Sequence, residues 1–293
     1  MEKKDLDEIL SLAFALKKNV GSDLDFSESL AGKSLVMLFQ KTSTRTRLSF
    51  ELGMTQLGGH AAFLEWKASN FQVGDVMDEV KCIGRYADAL MARVYSHTDL
   101  ENMAKAAGIP TINGLSDYEH PCQALADIMT IKEKFDYKPN VAYVGDGNNV
   151  CNSLIAACML SGINISVATP KGYEPAKKIT DKAIQAGILT LRNDPYEAVK
   201  GTQVVYTDTW VSLGQESEAE ERIKAFRNYQ VNSALVPKDA LVMHCLPAHR
   251  GYEITDEVID GPNSIVFDQA ENRMHVQKAV LLKLIKGDGY LAR

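Results

Sequence analysis

The chain has 293 residues, which exceeds the size at which one hydrophobic core usually divides, so two domains are the first expectation. Its 45% hydrophobic and 24% charged residues are ordinary for a globular protein and exclude a fibrous or largely disordered chain. A formal net charge of -6 argues against a duplex-binding protein, so no nucleic-acid partner is expected. An anionic ligand would therefore need a local positive site.

The cysteines and the apolar segments bear on the compartment. The five cysteines are an odd number without a Cys-x-x-Cys pair, which suggests neither a disulfide framework nor a zinc site. We therefore expect a reducing compartment and a cytoplasmic protein. The charged, short amphipathic N-terminus indicates a surface helix and not a signal peptide. Apolar runs stay well short of the roughly 18 residues of a membrane span, so no membrane association is expected.

Apolar segments bounded by turn residues alternate with helix-period segments along the first half of the chain. This alternation is typical of a parallel sheet flanked by helices. A helix is predicted from about Leu48 to the glycines at 58 and 59, and a longer one, with a buried apolar stripe, from His120 to Lys134. The predicted strands span 34–39, 61–64, 89–93 and 111–113.

The second half repeats this pattern after a polar, proline-containing segment at 132–140, which marks a domain boundary. A second parallel sheet is predicted there, and the final helix, 275–285, could pack on either domain. We expect an α/β fold of two domains, each a parallel sheet flanked by helices. The predicted strands span 141–144, 163–168, 204–207 and 240–244, and the domains comprise 1–133 with the C-terminal helix 275–293, and 134–274.

The string Ser43-Thr44-Arg45-Thr46-Arg47 lies between the first predicted strand and the first predicted helix of the sheet. Free main-chain N–H groups and the helix dipole at such a junction favour a bound anion. Arginine matches phosphate oxygens in a bidentate manner, so two arginines in one such loop predict a phosphate clamp. The alternative is a simple helix cap followed by two solvated arginines.

The string His120-Pro121-Cys122-Gln123 begins the long helix. A histidine near a helix N-terminus is biased towards its neutral form, in which a ring nitrogen can donate a hydrogen bond to a carbonyl oxygen. Gln123, one turn further on, would point the same way. A capping histidine followed by a proline in the first turn is the plain structural alternative.

Gly145-Asp146-Gly147 follows a predicted strand and looks at first like a dinucleotide fingerprint. The third glycine of that pattern should stand at Val150, and no acidic residue ends the next strand, so the dinucleotide interpretation is weak. Asn148 and Asn149 stand instead at the mouth of a strand–helix turn, where ligands of open α/β sheets usually bind. A turn with a helix cap explains the same residues equally well.

Two further predicted strands end in reactive residues. Asp208 can hold a substrate ammonium group by a charge-assisted hydrogen bond. The cysteine of His244-Cys245-Leu246-Pro247 would more often be inert packing, and it becomes a candidate only because we expect it to lie beside Asp208. The run Glu216 to Arg222 indicates a solvated, acidic helix start. Glu271-Asn272-Arg273, placed just before the final helix, offers one more guanidinium.

In this order, the motifs resemble the aspartate/ornithine transcarbamoylase family, and more closely its ornithine branch. The likeness runs through essentially the whole chain and includes Arg93. The aspartate branch lacks the Ser212-Leu213-Gly214 loop and does not carry His-Cys-Leu-Pro. The resemblance implies a carbamoyl-phosphate domain first and an ornithine domain second. It also implies a homotrimer, or an assembly of trimers, with active sites at subunit boundaries.

The resemblance further implies roles for single residues. Two departures are visible: the segment 66–85 is a few residues shorter than the usual family loop, which bears on whether Gln72 reaches a neighbouring subunit, and Leu213 stands where many relatives have methionine. Carbamoyl phosphate would be bound by Ser43, Thr44, Arg45, Thr46, Gln72, Arg93, His120 and Gln123, with Cys245, Leu246 and Arg273 closing the site. Ornithine would be bound by Asn149, Asp208, Ser212 and Leu213.

The implied reaction moves the carbamoyl group of carbamoyl phosphate to the side-chain amine of L-ornithine through a tetrahedral intermediate, giving L-citrulline and phosphate without a metal or a cofactor. An alkyl ammonium has a pKa of about 10.4, so the site must help to remove a proton. We expect Asp208 and Cys245 to do so, and Arg45, Arg93 and His120 to stabilise the developing oxyanion.

Three alternatives stay open at this point. The chain could be a transcarbamoylase for another amine, such as putrescine or an acylated ornithine. It could be an NAD-dependent oxidoreductase built on similar sheets, or a catalytically silent homologue. The sequence does not distinguish a role in arginine synthesis from one in arginine breakdown.

Overall fold

A computed structural model of the chain describes residues 1–18, 26–212 and 214–287. The chain divides into two compact units, Met1–Met129 with Asn272–Arg293, and Thr130–Glu271. Within the described residues, each unit contains one parallel sheet, of four strands in the first unit and five in the second. Helices flank both sheets, so the predicted fold class is confirmed. None of the helices in this part of the chain is both long and apolar enough to span a membrane.

The first unit orders its strands β2-β1-β3-β4. The central strand β3 reads Ala-Leu-Met-Ala-Arg and is buried at every position, as expected for a parallel strand covered on both faces. The elements are α1 (Lys3–Lys18), β1 (Ser34–Phe39), α2 (Thr44–Gln56), β2 (His60–Glu65), α3 (Val76–Tyr86), β3 (Ala89–Arg93), α4 (His97–Ala107), β4 (Thr111–Leu115) and α5 (Pro121–Lys134).

The second unit orders its strands β7-β6-β5-β8-β9. The aromatic cluster around Trp210 and Phe226 belongs to its buried core. Its elements are β5 (Val141–Val144), α6 (Asn149–Ser161), β6 (Ile165–Ala168), α7 (Lys177–Gln185), β7 (Leu189–Arg192), α8 (Pro195–Val199), β8 (Val204–Thr207), α9 (Ala219–Phe226), β9 (Leu241–His244), α10 (Asp256–Ile259) and the first turns of α11 (Val266–Lys286), which continues into the first unit.

All eight predicted strands are present, with ends that shift by one or two residues. The edge strand β7 was not predicted, because only Leu189 of its four residues is buried and the strand carries no apolar run. Helix α2 begins at Thr44 and not at Leu48, because Ser43 caps it and the polar first turn is already helical. The last helix also begins earlier than predicted, at Val266 instead of 275.

The last helix was predicted to begin late because its first turns carry no apolar stripe. Gln269 and Asn272 are fully buried in them, and Arg273 is 2% exposed. Hydrophobic periodicity does not detect a helix that buries polar side chains. From Asn272 onwards α11 belongs to the first unit, where Lys17 of α1 donates a hydrogen bond to the Asn272 side chain at 2.8 Å.

Each sheet has one place where the chain reverses its direction of travel across the sheet. In the first unit this place lies between β1 and β3, and in the second unit between β5 and β8. Ligands of open parallel sheets bind at the carboxyl ends of the strands at such a switch point. The segment 43–47 and Arg93 lie at the first switch point, and the segment 145–149 and Asp208 lie at the second.

Candidate active site

The first switch point presents the N-terminus of α2. The Ser43 hydroxyl accepts a hydrogen bond from the main-chain N–H of Thr46 at 3.3 Å and donates one to the Thr46 hydroxyl at 3.1 Å. The segment Thr44 to Arg47 therefore forms the first helical turn, and the N-terminus of a helix favours a bound anion. The sequence had placed these residues in a loop.

The two arginines of this turn differ in their surroundings. The Arg47 guanidinium lies 4.0 Å from the centre of the Phe63 ring and 3.1 Å from the Glu51 carboxylate, and the side chain is exposed. Arg45 is half-buried and contributes to the electrostatic field at His120. This difference corrects the expectation that both arginines clamp one phosphate, and it leaves Arg45 as the candidate.

His120 is 5% exposed and directly precedes Pro121, the first residue of α5. Burial lowers the pKa of His120 well below its usual value, and the positive charges of Arg273, Arg93 and Arg45 lower this pKa further. This direction of the pKa shift agrees with the neutral form that the helix N-terminus predicts. The charges of three guanidinium groups thus act on one imidazole, a pattern that suits an anionic ligand.

Arg273 is held at this cluster by two hydrogen bonds. Its Nη1 donates to Oε1 of Gln123 at 2.5 Å, and its Nη2 donates to the Thr46 hydroxyl at 3.3 Å. The Gln123 amide in turn donates to the Asp127 carboxylate at 2.8 Å. Arg273 thus lies inside α11, and not before it as predicted, and a buried chain of hydrogen bonds fixes its orientation.

Gln72 does not belong to this described cluster. It is exposed, in the short 3-10 helix Asn70–Gln72. Its assignment to the phosphate site of a neighbouring subunit stays a prediction. Cys122, in contrast, is buried one residue into α5, and burial raises the pKa of its thiol to about 11. We assign Cys122 to packing.

The second switch point carries a carboxylate with three donors. Cys245 Sγ donates to Asp208 Oδ1 at 2.9 Å, and the Thr209 main-chain N–H donates to the same oxygen at 2.8 Å. The Asn148 amide donates to Asp208 Oδ2 at 2.8 Å. The predicted proximity of Cys245 and Asp208 is therefore confirmed. A largely buried carboxylate that is oriented in this way suits an ammonium ligand.

Asn148 was not predicted as a site residue, although it contacts Asp208. It also caps α6, because its Oδ1 accepts from the main-chain N–H groups of Val150 and Cys151 at 2.9 and 3.1 Å. Asn149, which was predicted, is the half-buried first residue of α6. The sequence signal was two consecutive asparagines after a buried strand. That signal does not show which asparagine caps α6 and which one faces a ligand.

A buried hydrogen bond between His244 and Glu253 supports the segment that carries Cys245. The His244 ring accepts a hydrogen bond from the Leu246 main-chain N–H at 2.8 Å through Nδ1, and its Nε2 lies 3.1 Å from the Glu253 carboxylate. Leu246 has a φ of 58°, which residues other than glycine rarely adopt. Glu253 was missed because a single glutamate in a loop carries no pattern.

The ligand atoms of Asp208, His244 and Cys245 lie within 4.8 Å of one another. Such a set could in principle hold a metal ion. Both ring nitrogens of His244 are already engaged with Leu246 and Glu253, however, and the Cys245 thiol donates to Asp208. The arrangement therefore suits a hydrogen-bonded protein site better than metal coordination.

Ser212 lies in a tight turn after Asp208. Its main-chain N–H donates to the Gln215 side chain at 3.0 Å, and its carbonyl accepts from the Gln215 main-chain N–H at 3.0 Å. Leu213, the other ornithine-binding residue predicted in this turn, lies outside the described residues. Only three residues of sequence lie between Asp208 and Ser212.

The glycine-rich turn after β5 has a packing role. A Cβ atom on Gly147 would lie 2.3 Å from the main-chain nitrogen of Pro175, so this position has no room for a side chain. Close main-chain contact therefore accounts for one glycine of the pattern that resembled a dinucleotide fingerprint.

Comparison with known proteins matches both halves of the chain. Residues 1–133 match the carbamoyl-phosphate-binding domain, and residues 138–284 the aspartate/ornithine-binding domain, of the aspartate/ornithine carbamoyltransferases. The chain belongs to the aspartate/ornithine carbamoyltransferase family.

Several members of the aspartate/ornithine carbamoyltransferase family are similar over most of their length. An ornithine carbamoyltransferase of Pyrococcus horikoshii is 55% identical over 269 residues, covering 88% of this chain and 85% of the relative. One of Methanoculleus marisnigri is 51% identical and covers 97% and 94%. The solved ornithine carbamoyltransferase of Pyrococcus furiosus superposes with a TM-score of 0.89 at 50% identity and covers 97% and 94%.

Proposed function

We propose that this chain is an ornithine carbamoyltransferase, which transfers the carbamoyl group of carbamoyl phosphate to the side-chain amine of L-ornithine. Relatives of that name are about half identical to it over most of their length. The structural observation that carries the proposal is the contrast between the two sites. The charges of three guanidinium groups lower the pKa of the buried His120 in one unit, and a carboxylate with a thiol partner lies in the other.

Carbamoyl phosphate is the ligand of the first unit. The first turn of α2, with Ser43, Thr44 and Thr46, binds the phosphate oxygens, and Arg45, Arg93 and Arg273 balance their charge. The neutral His120 donates a hydrogen bond to the carbamoyl oxygen, where negative charge develops during attack. Gln123 acts on this site by orienting Arg273, because both ends of its amide are engaged.

Ornithine is the ligand of the second unit, where Asn149, Ser212 and Leu213 hold its amino-acid end. Asp208 binds the side-chain ammonium and, with Cys245, eases the loss of its proton. The free amine then attacks the carbamoyl carbon. The new C–N bond gives a tetrahedral intermediate, which collapses as the C–O bond to phosphate breaks, and the arginines retain the departing phosphate. Cys245 and Leu246 complete the site.

The proposal includes the assembly and the compartment. We propose a homotrimer, or an assembly of trimers, in which Gln72 reaches the phosphate site of a neighbouring subunit, and we place the enzyme in the cytoplasm. Light scattering combined with size exclusion measures the assembly. A mass of one 32.3 kDa chain would contradict the trimer.

The activity is tested by following citrulline formation from carbamoyl phosphate and ornithine with the purified protein. Putrescine and an acylated ornithine serve as competing amines. We expect citrulline with ornithine and at most a trace of product with the other two. A protein that prefers putrescine or the acylated amine would contradict the substrate assignment, and a protein without any product would contradict the activity.

A further inference from the structure

Arg222 in α9 is 4% exposed, although the acidic run that contains it predicted a solvated helix start. Its Nη2 pairs with the Asp146 carboxylate, and its Nε donates to the Trp210 carbonyl at 2.6 Å. The guanidinium carbon also lies 5.0 Å from the centre of the Tyr173 ring and 5.4 Å from that of Phe226. Burying a charge costs a large desolvation free energy, and the ion pair and the two ring contacts of Arg222 offset that cost.

The two hydrogen-bonding partners of Arg222 flank the proposed ornithine site. Asp146 lies in the turn after β5, two residues before Asn148, which donates to Asp208. Trp210 lies two residues after Asp208 and two residues before Ser212. One guanidinium therefore joins the turn that orients the Asp208 carboxylate to the segment that carries Ser212.

The segment 209–215 has other restraints, but they act elsewhere. The Thr209 hydroxyl contacts Nδ1 of His249 at 2.8 Å, which links the segment to the loop after β9. The Gln215 side chain accepts from the Ser212 main chain, which closes the turn on itself. Among the described contacts, Arg222 links the segment to the turn after β5.

We infer that Arg222, paired with Asp146, is a positioning residue that sets the affinity for ornithine by holding the Trp210 carbonyl, and hence the Ser212 turn, in register with Asp208. This inference rests on the proposed ornithine-binding role of Asp208 and Ser212. Arg222 itself takes no part in the chemistry. Its loss should weaken ornithine binding in the ground state and leave the chemical step and the carbamoyl-phosphate site unchanged.

The experiment compares three variants, Arg222→Met, Arg222→Lys and the double variant Asp146→Asn/Arg222→Met, with the unmodified enzyme. Steady-state kinetics give kcat and KM for each substrate, and thermal unfolding gives stability. The exposed Arg227, in the turn that follows α9, provides the matched control Arg227→Met. We expect Arg222→Met to raise the KM for ornithine by about tenfold, as for loss of one charged hydrogen bond. The kcat and the KM for carbamoyl phosphate should stay within about twofold, because lost ground-state binding raises KM alone.

The double variant separates positioning from stability. It removes both buried charges, so it should regain much of the stability that Arg222→Met loses, yet its KM for ornithine should stay high because nothing holds the Trp210 carbonyl. A double variant with normal stability and a normal KM for ornithine would overturn the inference. If neither methionine variant folds, Arg222→Lys decides: a raised KM for ornithine supports the inference, and an unchanged one overturns it.

The experiment distinguishes a failure of the proposed function from a failure of the role inferred for Arg222. If the unmodified enzyme forms no citrulline, the proposed function fails before any variant is compared. If it forms citrulline, and Asp208→Asn raises the KM for ornithine while the Arg222 variants do not, only the role of Arg222 is lost.

Discussion

The two units place their candidate residues at equivalent positions of a parallel sheet, but the residues differ in their chemistry. Each places its candidate residues at the switch point of a parallel sheet, after neighbouring strands. In the first unit, the residues there are cations around a neutral imidazole; in the second, they are a carboxylate, an amide and a thiol. The fold therefore determines where a ligand binds, and the side chains after each strand determine which ligand it is.

The comparison also shows two ways of using buried charge. Burial keeps His120 neutral amid three arginines, so that it can donate a hydrogen bond. In the second unit, burial raises the pKa of Asp146 to about 7, and the Arg222 guanidinium opposes that rise. Burial thus favours the uncharged form of both groups, and in the second unit the Arg222 guanidinium offsets part of that preference.

The largest effect is expected at the anion site. Arg45→Met should lower kcat/KM for carbamoyl phosphate by about 10²–10³-fold, because a preorganised donor to developing charge is lost. Arg47→Met is the matched control from the same helical turn, since its guanidinium lies on Phe63. Equal losses in the two variants would contradict the distinction drawn between the two arginines. Initial-rate measurements with varied carbamoyl phosphate are sufficient.

A smaller loss is expected from Asp208→Asn. Replacing the carboxylate removes a charge-assisted hydrogen bond to the ammonium, so kcat/KM for ornithine should fall by about tenfold to a hundredfold. Binding of carbamoyl phosphate, measured by calorimetry, should not change. Asp181→Asn, at an exposed carboxylate paired with Lys177 in the same unit, is the control. A weakened affinity for carbamoyl phosphate would contradict the separation of the two sites.

The thiol should matter less than the carboxylate. Cys245→Ala removes one donor to Asp208, and we expect a loss of about tenfold in kcat/KM for ornithine with an altered pH profile. Cys82→Ala, at an exposed thiol of the first unit, controls for unspecific thiol effects. If Cys245→Ala keeps full activity at every pH tested, the thiol has no part in the removal of the proton.

The smallest effects concern the pH dependence of stability, and the two units should differ in sign. The folded pKa of His120 lies below its unfolded value, so the unfolded chain takes up a proton that the native chain does not, and stability falls as pH drops below about 6.5. The folded pKa of Asp146, about 7, lies above its ordinary value of 3.8, so stability falls as pH rises between these values.

Two single variants test separately how His120 and Asp146 make stability depend on pH. His120→Gln should flatten the acid-side loss, and Asp146→Asn should flatten the decline towards neutral pH, when the free energy of unfolding is measured by denaturant titration at several pH values. The slope is the relevant quantity, because Asp146→Asn also leaves Arg222 without its buried partner. An Asp146→Asn slope identical to that of the unmodified protein would contradict the raised pKa.

Much of the fold was visible in the sequence because its signals are local. Buried strands such as 141–144 are short apolar runs, and turn residues bound them. The edge strand β7 and the first turns of α11 were missed for a common reason: one exposes three of its four residues, and the other buries polar side chains such as Gln269. Hydrophobic pattern detects burial only where burial is apolar.

The sequence predicted only those residues of the candidate site that belong to short local motifs. The strings around Ser43, His120 and Cys245 each end or begin an element, so their positions followed from the predicted strands and helices. Glu253 contacts His244 from a loop nine residues further on, and Arg222 pairs with Asp146 across 76 residues of sequence. No local pattern marks a charged residue that such a partner will bury. Such residues become visible only when the chain is folded.

The contribution of α11 to the first unit has a consequence for biosynthesis. Arg273, one of the three guanidinium groups at His120, lies 150 residues beyond Gln123, its hydrogen-bonding partner. A ribosome delivers residues from first to last, so a nascent chain holding the whole first sheet still lacks this cation. The anion pocket can therefore reach its final form only after nearly the entire polypeptide has been made, and a product terminated early would be deprived of it.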